Sequence, residues 1–157
     1  MRVVERFVTS APPALVWRVL ADVEHWPEWT PTVIEIRPLD GRGLAVGARF
    51  RVLQPKLRPA TYEGTECVPN QRFTWMQKLP GGALFADHRL AAREKETEVE
   101  LSFASEGLLP NIVAALFSKI IREYVAIEAR SLQHQCDALG SQSALQRPSL
   151  DPRLPAN

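Results

Sequence analysis

The sequence LLPNIVAALFSKIIREYVAIEARSLQHQCDAL, residues 108–139, carries the longest helical pattern of the chain. Its apolar side chains fall at positions 108, 109, 112, 113, 116, 117, 120, 121, 124 and 125, and again at 132, 136 and 139. This spacing gives a wide apolar stripe, which is typical of a helix lying on a protein core. Pro110 falls in the first turn, where proline is tolerated, and Gly140 is a common stop signal. The pattern predicts one long helix over residues 108–139.

The residues before this helix read mainly as strands. Residues 2–9 are rich in Val and Phe, and Ser10 is a suitable N-cap for a short helix over 11–21. Pro27 limits the tryptophan-rich segment 22–30 to a single helical turn. Short polar or Gly- and Pro-containing links then separate six predicted strands, which favours antiparallel hairpins over parallel crossovers. These strands are 32–39, 46–54, 60–68, 71–78, 83–92 and 97–104.

Together these elements predict an α+β fold. One face of a sheet needs an apolar cover, and the long helix is the obvious one. Six or seven strands are too wide for one helix to fill against a flat sheet, so we expect a curved antiparallel sheet wrapped around the helix, with a cavity between them. We expect one domain over residues 1–139 and a polar C-terminal tail over 140–157, whose composition favours little burial.

This pattern resembles the START-like (SRPBCC) superfamily, in particular its polyketide cyclase/dehydrase and lipid-transport branch. Besides the element order, the resemblance rests on soft motifs spread over residues 1–139. These are Ala11-Pro12, Val16-Trp17, Asp22 with Trp26-Pro27-Glu28-Trp29, Val46-Gly47, Arg72-Phe73-Thr74-Trp75, His88-Arg89-Leu90 and Glu128. The resemblance implies a helix-grip fold with an internal apolar cavity. It does not choose among the lipid carriers, hormone and allergen proteins and aromatase/cyclases of that superfamily.

Strand parity indicates which side chains face the cavity, because successive residues point to opposite faces. The clearest alternation is Val99, Leu101 and Phe103 against Glu98 and Glu100, so we expect the first set buried and the two glutamates exposed. The same reasoning, with the helical stripe from Ile112 to Tyr124 laid across the sheet, gives ten candidate ligand-binding residues. They are Phe50, Val52, Tyr62, Phe73, Trp75, His88, Phe103, Phe117, Ile120 and Tyr124. An ordinary packed core is the alternative interpretation of this set, since pockets and cores share apolar lining.

Four polar residues stand out among the inward positions: His88, Tyr62, Gln54 and, on the parity of strand 60–68, Glu66. His88 is the best candidate for a catalytic residue, as a general base or as a group that orients a ligand carbonyl. A core histidine satisfied by a neighbour is the alternative. Glu128 lies on the helical stripe and needs a partner there, either an arginine or an indole N–H from the tryptophan segment.

Composition limits the function classes. The net charge of +1, without a basic cluster, argues against a nucleic-acid partner. No run approaches the roughly 18 apolar residues of a membrane span, so no membrane insertion is expected. Cys67 and Cys136 are far apart, and the N-terminal residues lack a signal-peptide pattern; we therefore expect free thiols and a cytoplasmic protein. The three histidines lie on separate elements, which predicts no metal site, and no phosphate loop indicates a nucleotide; no cofactor is expected.

Two functions of the cavity remain open, beside a third hypothesis, an assembly factor that acts through surface contacts. The first is binding of an apolar or aromatic small molecule, lipid- or polyketide-like, by a monomer or weak homodimer. The second is a cyclase or dehydratase acting in the same cavity, which requires a positioned acid or base and an oxyanion partner. Because the inward polar groups are few, binding is the preferred hypothesis.

Overall fold

A computed structural model describes residues 1–41 and 43–145. Its helices are α1 (Pro13–Ala21), α2 (Leu108–Leu116) and α3 (Ser118–Leu145), with a short 3₁₀ helix at Val23–Glu28. Its strands are β1 (Arg2–Thr9), β2 (Glu35–Pro38), β3 (Arg49–Leu53), β4 (Ala60–Val68), β5 (Arg72–Leu79), β6 (Gly82–Ala92) and β7 (Thr97–Glu106).

All seven strands form one antiparallel sheet in the order β1-β7-β6-β5-β4-β3-β2. Helix α3 packs mainly over β1, and α2 contacts β6 and β7. Side chains from β3 to β7 reach one cavity beneath the helices, so this face of the sheet is concave. The predicted α+β helix-grip fold, with a curved sheet around a C-terminal helix, is therefore confirmed.

The alternation along β7 places Val99, Leu101 and Phe103 in the core, with exposed fractions of 0%, 2% and 9%. Glu98 and Glu100 are less exposed than expected: both are half-buried. Arginine side chains lie over both carboxylates: Arg93 bonds to Glu98, and Arg6 bonds to Glu100. Ion pairing with β1 and with the β6–β7 turn thus covers part of the solvent face.

The single helix predicted over 108–139 is wrong in two respects. Phe117 adopts φ −100° and ψ 13°, outside the α-helical region, and this divides the segment into α2 and α3. Apolar periodicity passes through a one-residue break unchanged and does not reveal it. As a result the stripe does not lie wholly on the sheet: Leu116 and Ile112 remain 77% and 49% exposed.

Gly140 does not end the helix either, since α3 continues to Leu145. Gly140 lies against Ala11, where an added Cβ would make only ordinary contact, and the Ser141 hydroxyl bonds back to the carbonyl of Asp137. Residues 140–145, predicted as part of a polar tail, are therefore helical. The rest of that predicted tail, 146–157, lies outside the described residues.

A β-bulge between Gly64 and Glu66 changes the parity of β4. At Gly64 the backbone of the loop between β2 and β3 approaches closely: a Cβ on residue 64 would lie 2.2 Å from the carbonyl oxygen of Ala45. Beyond the bulge, Glu66 does not point into the cavity as predicted but pairs with Arg72 at 2.9 Å. The extra residue of the bulge inverts the faces that a strict alternation predicts.

Candidate functional site

A cavity of about 440 Å³ lies between the concave face of the sheet and the two C-terminal helices. Most of its wall is apolar or aromatic. Helix α3 presents Ile121, Tyr124, Val125 and Glu128 to it, a spacing that keeps these side chains on one helical face. Strands β3 to β7 supply the opposite wall, so the site is built from the elements that form the fold.

The cavity brings together most of the candidate residues. Those that line it are Val52, Tyr62, Trp75, His88, Phe103, Phe117 and Tyr124. Phe50 and Phe73 point inward but are fully buried behind the wall, packed against Trp75. Ile120 does not line the cavity; its neighbour Ile121 does, in helical register with Phe117, Tyr124 and Glu128. Ligand contact by any of these residues stays a prediction.

His88 and Glu128 form the main polar pair of the cavity. The Nε2 atom of His88 lies 3.2 Å from Oε1 of Glu128, joining β6 to α3. His88 is 3% exposed, and the Glu128 side chain is 16% exposed. The partner of Glu128 is thus a histidine, not the arginine or indole that we expected; the Trp26 indole N–H donates to the carbonyl of Leu20 at 3.0 Å. In either protonation state of the histidine, Glu128 has a second oxygen that can accept a hydrogen bond.

Aromatic rings hold His88 in place. Its imidazole stacks on Phe73 with ring centroids 4.0 Å apart and planes 13° apart. Trp26 and Trp75 meet the imidazole edge-on at 5.4 and 6.1 Å. Nδ1 of His88 is buried and has no hydrogen-bond partner among the described residues. The ring is therefore fixed by packing and by one carboxylate, not by a complete polar network.

Tyr62 presents the second polar group of the inner wall. Burial and the nearby Glu128 carboxylate raise its pKa to about 12, so the phenol stays neutral under ordinary conditions. Its ring packs on Trp75 with centroids 5.2 Å apart. A neutral hydroxyl that lies beside a carboxylate can donate to a ligand carbonyl or accept from a ligand hydroxyl.

The mouth of the cavity lies between the β3–β4 loop and the α2–α3 junction. Lys56 and Arg58 line it from the loop and are exposed, while Phe117 is the exposed residue on the helical side. The Tyr124 hydroxyl donates a hydrogen bond to the carbonyl of Pro55, which ties the loop to α3. The entrance is thus basic and the inner end carries a carboxylate.

Sequence reasoning missed several lining residues, among them Trp26, Lys56, Arg58 and Val125. The sequence predicts that Trp26 packs the helical turn against the sheet edge or the cavity mouth, and no strand or helix period shows that its ring reaches the cavity wall. Glu128 was identified on the helical stripe, but only the packing of α3 across the sheet shows that His88 lies opposite. Within the described part of the chain, no group of three or more His, Cys, Asp or Glu side chains could hold a metal ion, and no helix is long and apolar enough to cross a membrane.

Solved structures support the fold. The aromatase/cyclase Zhui from Streptomyces sp. R1128 is similar with a TM-score of 0.70 and 16% identity, covering 87% of this chain and 93% of Zhui. A hypothetical protein from Helicobacter pylori is similar with a TM-score of 0.73 and 12% identity, covering 87% of this chain and 88% of that protein. The di-domain ARO/CYC StfQ from the steffimycin biosynthetic pathway gives 0.69 at 12% identity, covering 91% of this chain and 52% of StfQ.

At such low identities these structural likenesses establish the fold alone. No curated protein shows significant sequence similarity to the chain. A family model, described as polyketide cyclase / dehydrase and lipid transport, matches residues 1–136, nearly the whole region that resembles this family in sequence. The chain belongs to the polyketide cyclase / dehydrase and lipid transport family.

Proposed function

We propose that this protein binds an apolar or aromatic small molecule, lipid- or polyketide-like, in the cavity between the sheet and α3. The observation that carries the proposal is the cavity itself. Its volume of about 440 Å³ falls within the range of roughly 300–1,000 Å³ that is typical of small-molecule sites. A mainly apolar wall with a few convergent polar groups is the usual chemistry of such sites.

Filling the cavity from one strand tests this proposal. Ala86 on β6 lines the cavity, while Ala91 on the same strand is exposed. Ala86→Phe should abolish binding of a neutral apolar dye such as N-phenyl-1-naphthylamine, because the new ring occupies the ligand volume. Ala91→Phe should bind the dye like the wild type. Circular dichroism and thermal unfolding of both variants check that each is folded.

Two results would contradict the proposal. One is a folded wild type that binds neither this dye nor any fatty acid or polycyclic aromatic compound. The other is a folded Ala86→Phe variant that binds the dye as tightly as Ala91→Phe, since the dye would then lie elsewhere.

A second candidate function is cyclisation or dehydration of a polyketide-like ketone in the same cavity. One observation favours it: the His88–Glu128 pair and Tyr62 line the same apolar cavity, and the Glu128 carboxylate is near enough to Tyr62 to raise the pKa of its hydroxyl. Either His88 or Glu128, acting as a general base, would remove a proton from the carbon next to the ketone carbonyl. The Tyr62 hydroxyl would donate a hydrogen bond to the carbonyl oxygen as negative charge develops on it. The similar structures include the aromatase/cyclase Zhui and the di-domain ARO/CYC StfQ, which is consistent with this class.

The two functions differ in what His88→Ala does. If His88 only contributes a hydrogen bond, its loss weakens binding about two- to tenfold. If it is a general base, the variant still binds a ketone but turns it over about 10²–10⁴-fold more slowly. Equilibrium binding and single-turnover assays on the same ketone, for wild type and variant, separate the two. We expect the first result.

A further inference from the structure

The two ends of the cavity carry opposite charges, and this difference bears on which ligands fit. The loop 54–59, Gln-Pro-Lys-Leu-Arg-Pro, has two cations and no carboxylate. The facing helical segment 108–122 also lacks acidic residues and carries Lys119 and Arg122, and the exposed Glu123 that follows it is the nearest helical carboxylate to Tyr124. Lys56 and Arg58 both line the cavity. Among the described residues neither forms an ion pair.

The basic loop is positioned and not merely exposed. Lys56 has φ +61°, a left-handed conformation that residues with a side chain rarely adopt. The hydrogen bond from Tyr124 to the carbonyl of Pro55 fixes the adjacent peptide against α3. Unusual backbone that is held by a tertiary contact often marks a functional position. Here it keeps two cations at the mouth.

The inner end has the opposite character. Glu128 follows Tyr124 by four residues, about 6 Å further along the helix from the mouth. One of its oxygens meets His88 and the other is left to accept; Tyr62 lines the same cavity, and the Glu128 carboxylate helps to keep its hydroxyl neutral. A ligand carboxylate there would meet a carboxylate in an apolar enclosure, where like charges repel strongly. A ligand hydroxyl would find an acceptor and a phenol.

We propose that the cavity is selective for amphiphiles that place an anionic group, such as a carboxylate, at the Lys56–Arg58 mouth and a neutral hydroxyl beside Glu128 and Tyr62. This rests on the proposed binding function and adds the orientation and the charge of the ligand. It identifies the ligand class as hydroxylated acids and disfavours molecules that are anionic at both ends.

A matched set of ten-carbon chains tests each end separately. Decanoic acid and 1-decanol differ only at the mouth; ω-hydroxydecanoic acid and decanedioic acid differ only at the inner end. Their affinities are measured near neutral pH by displacement of N-phenyl-1-naphthylamine. We expect ω-hydroxydecanoic acid to bind best, and decanedioic acid to bind at least about tenfold more weakly.

Variants assign the two preferences to residues. Lys56→Ala/Arg58→Ala should lower the affinity for decanoic acid and leave the affinity for 1-decanol unchanged. The loss should be only about three- to tenfold, because ion pairs at a rim are partly screened by solvent. The control Arg18→Ala/Lys95→Ala removes the same charge from exposed positions outside the cavity and should change neither affinity. Glu128→Gln should reduce the penalty on decanedioic acid, since an amide does not repel a carboxylate.

The outcomes separate this inference from the binding function. Dye binding with equal affinities for all four chains would overturn the selectivity and leave the cavity function standing. The same holds if the Arg18/Lys95 control lowers decanoic acid binding as much as the Lys56/Arg58 variant. No binding of the dye or of any chain by folded protein would overturn both.

Discussion

Asp87 and His88 are neighbours on β6, both border the cavity and both are almost fully buried, yet their side chains point to opposite faces of the strand and their surroundings differ. Asp87 accepts hydrogen bonds from Arg72, Thr74 and Arg89 at 2.6–2.7 Å. His88 has one polar partner, Glu128 at 3.2 Å, and its Nδ1 atom has none among the described residues. On the outer face of the sheet, the protein's own side chains satisfy the hydrogen bonding of the buried carboxylate. At the polar end of the cavity, part of the hydrogen-bonding capacity of His88 is left unused.

This difference indicates which face is used for structure and which for binding. Buried polar groups in folded proteins are usually satisfied, so an incomplete set on a cavity wall is a typical place for a ligand. A network that the protein completes should instead contribute to stability. Substitutions on the two faces should therefore divide into effects on unfolding and effects on affinity.

The largest effect on unfolding is expected from Asp87→Asn. It weakens two charge-assisted hydrogen bonds and should lower the free energy of unfolding by about 2 kcal/mol, the arginines being partly solvated. Urea unfolding measures this change. Glu35→Gln, which removes an exposed ion pair with Arg37, is the control and should cost less than about 0.5 kcal/mol. Similar losses for both variants would show that the Asp87 network has no special role.

The pH dependence of stability should show the same network. Burial disfavours the Asp87 carboxylate, but hydrogen bonds from Arg72, Thr74 and Arg89 outweigh it and lower the pKa below its usual 3.8. The stabilisation is therefore fully present above pH 3.8 and is lost as the pH falls through the lowered, folded-state pKa. Unfolding experiments from neutral to acid pH should show a smaller acid loss in Asp87→Asn than in the wild type. Equal acid losses would contradict this assignment.

On the cavity face, His88→Phe/Glu128→Leu should change the free energy of unfolding by less than about 1 kcal/mol, since replacing both partners of a buried pair by apolar groups is often neutral. The affinity for a hydroxyl-bearing ligand should fall, while that for the neutral apolar dye should hold. A loss of stability as large as that of Asp87→Asn would make the pair structural and would erase the contrast between the faces.

The smallest effect on unfolding is expected from Tyr62→Phe. The hydroxyl faces the cavity, so its removal should change the free energy of unfolding by no more than about 0.5 kcal/mol. Affinity for ω-hydroxydecanoic acid should drop about two- to tenfold through the lost hydrogen bond. Calorimetric unfolding and dye displacement measure the two quantities, and an unchanged affinity would remove Tyr62 from the inner polar end.

Sequence periodicity predicted most of the fold. The bounds of β1 and β4 match the predicted strands 2–9 and 60–68, and the alternation of β7 predicted its core residues correctly. It failed where one residue changes the geometry. The bulge after Gly64 leaves the apolar pattern intact but inverts the parity beyond it, which is why Glu66 was misplaced. On the wide helical stripe, periodicity does not decide between the neighbours Ile120 and Ile121, and only Ile121 lines the cavity.

The candidate site was less predictable for a physical reason. Parity shows that His88 points inward and the helical period shows that Glu128 does, but their meeting depends on how α3 crosses the sheet. The Lys56–Arg58 loop has no periodic signal at all, and its place at the mouth depends on a tertiary contact with Tyr124. Local patterns determine which face a residue occupies; contacts across the cavity come from the whole fold.

Native mass spectrometry of the protein, purified gently from its own source, tests the central claim most directly. We predict one small molecule bound per chain, released on unfolding, carried by the wild type and by Ala91→Phe, and absent from Ala86→Phe. Two results would contradict the account. One is wild-type protein that carries no bound molecule and also fails to bind an added amphiphile; the other is a folded Ala86→Phe variant that carries the same molecule as the wild type.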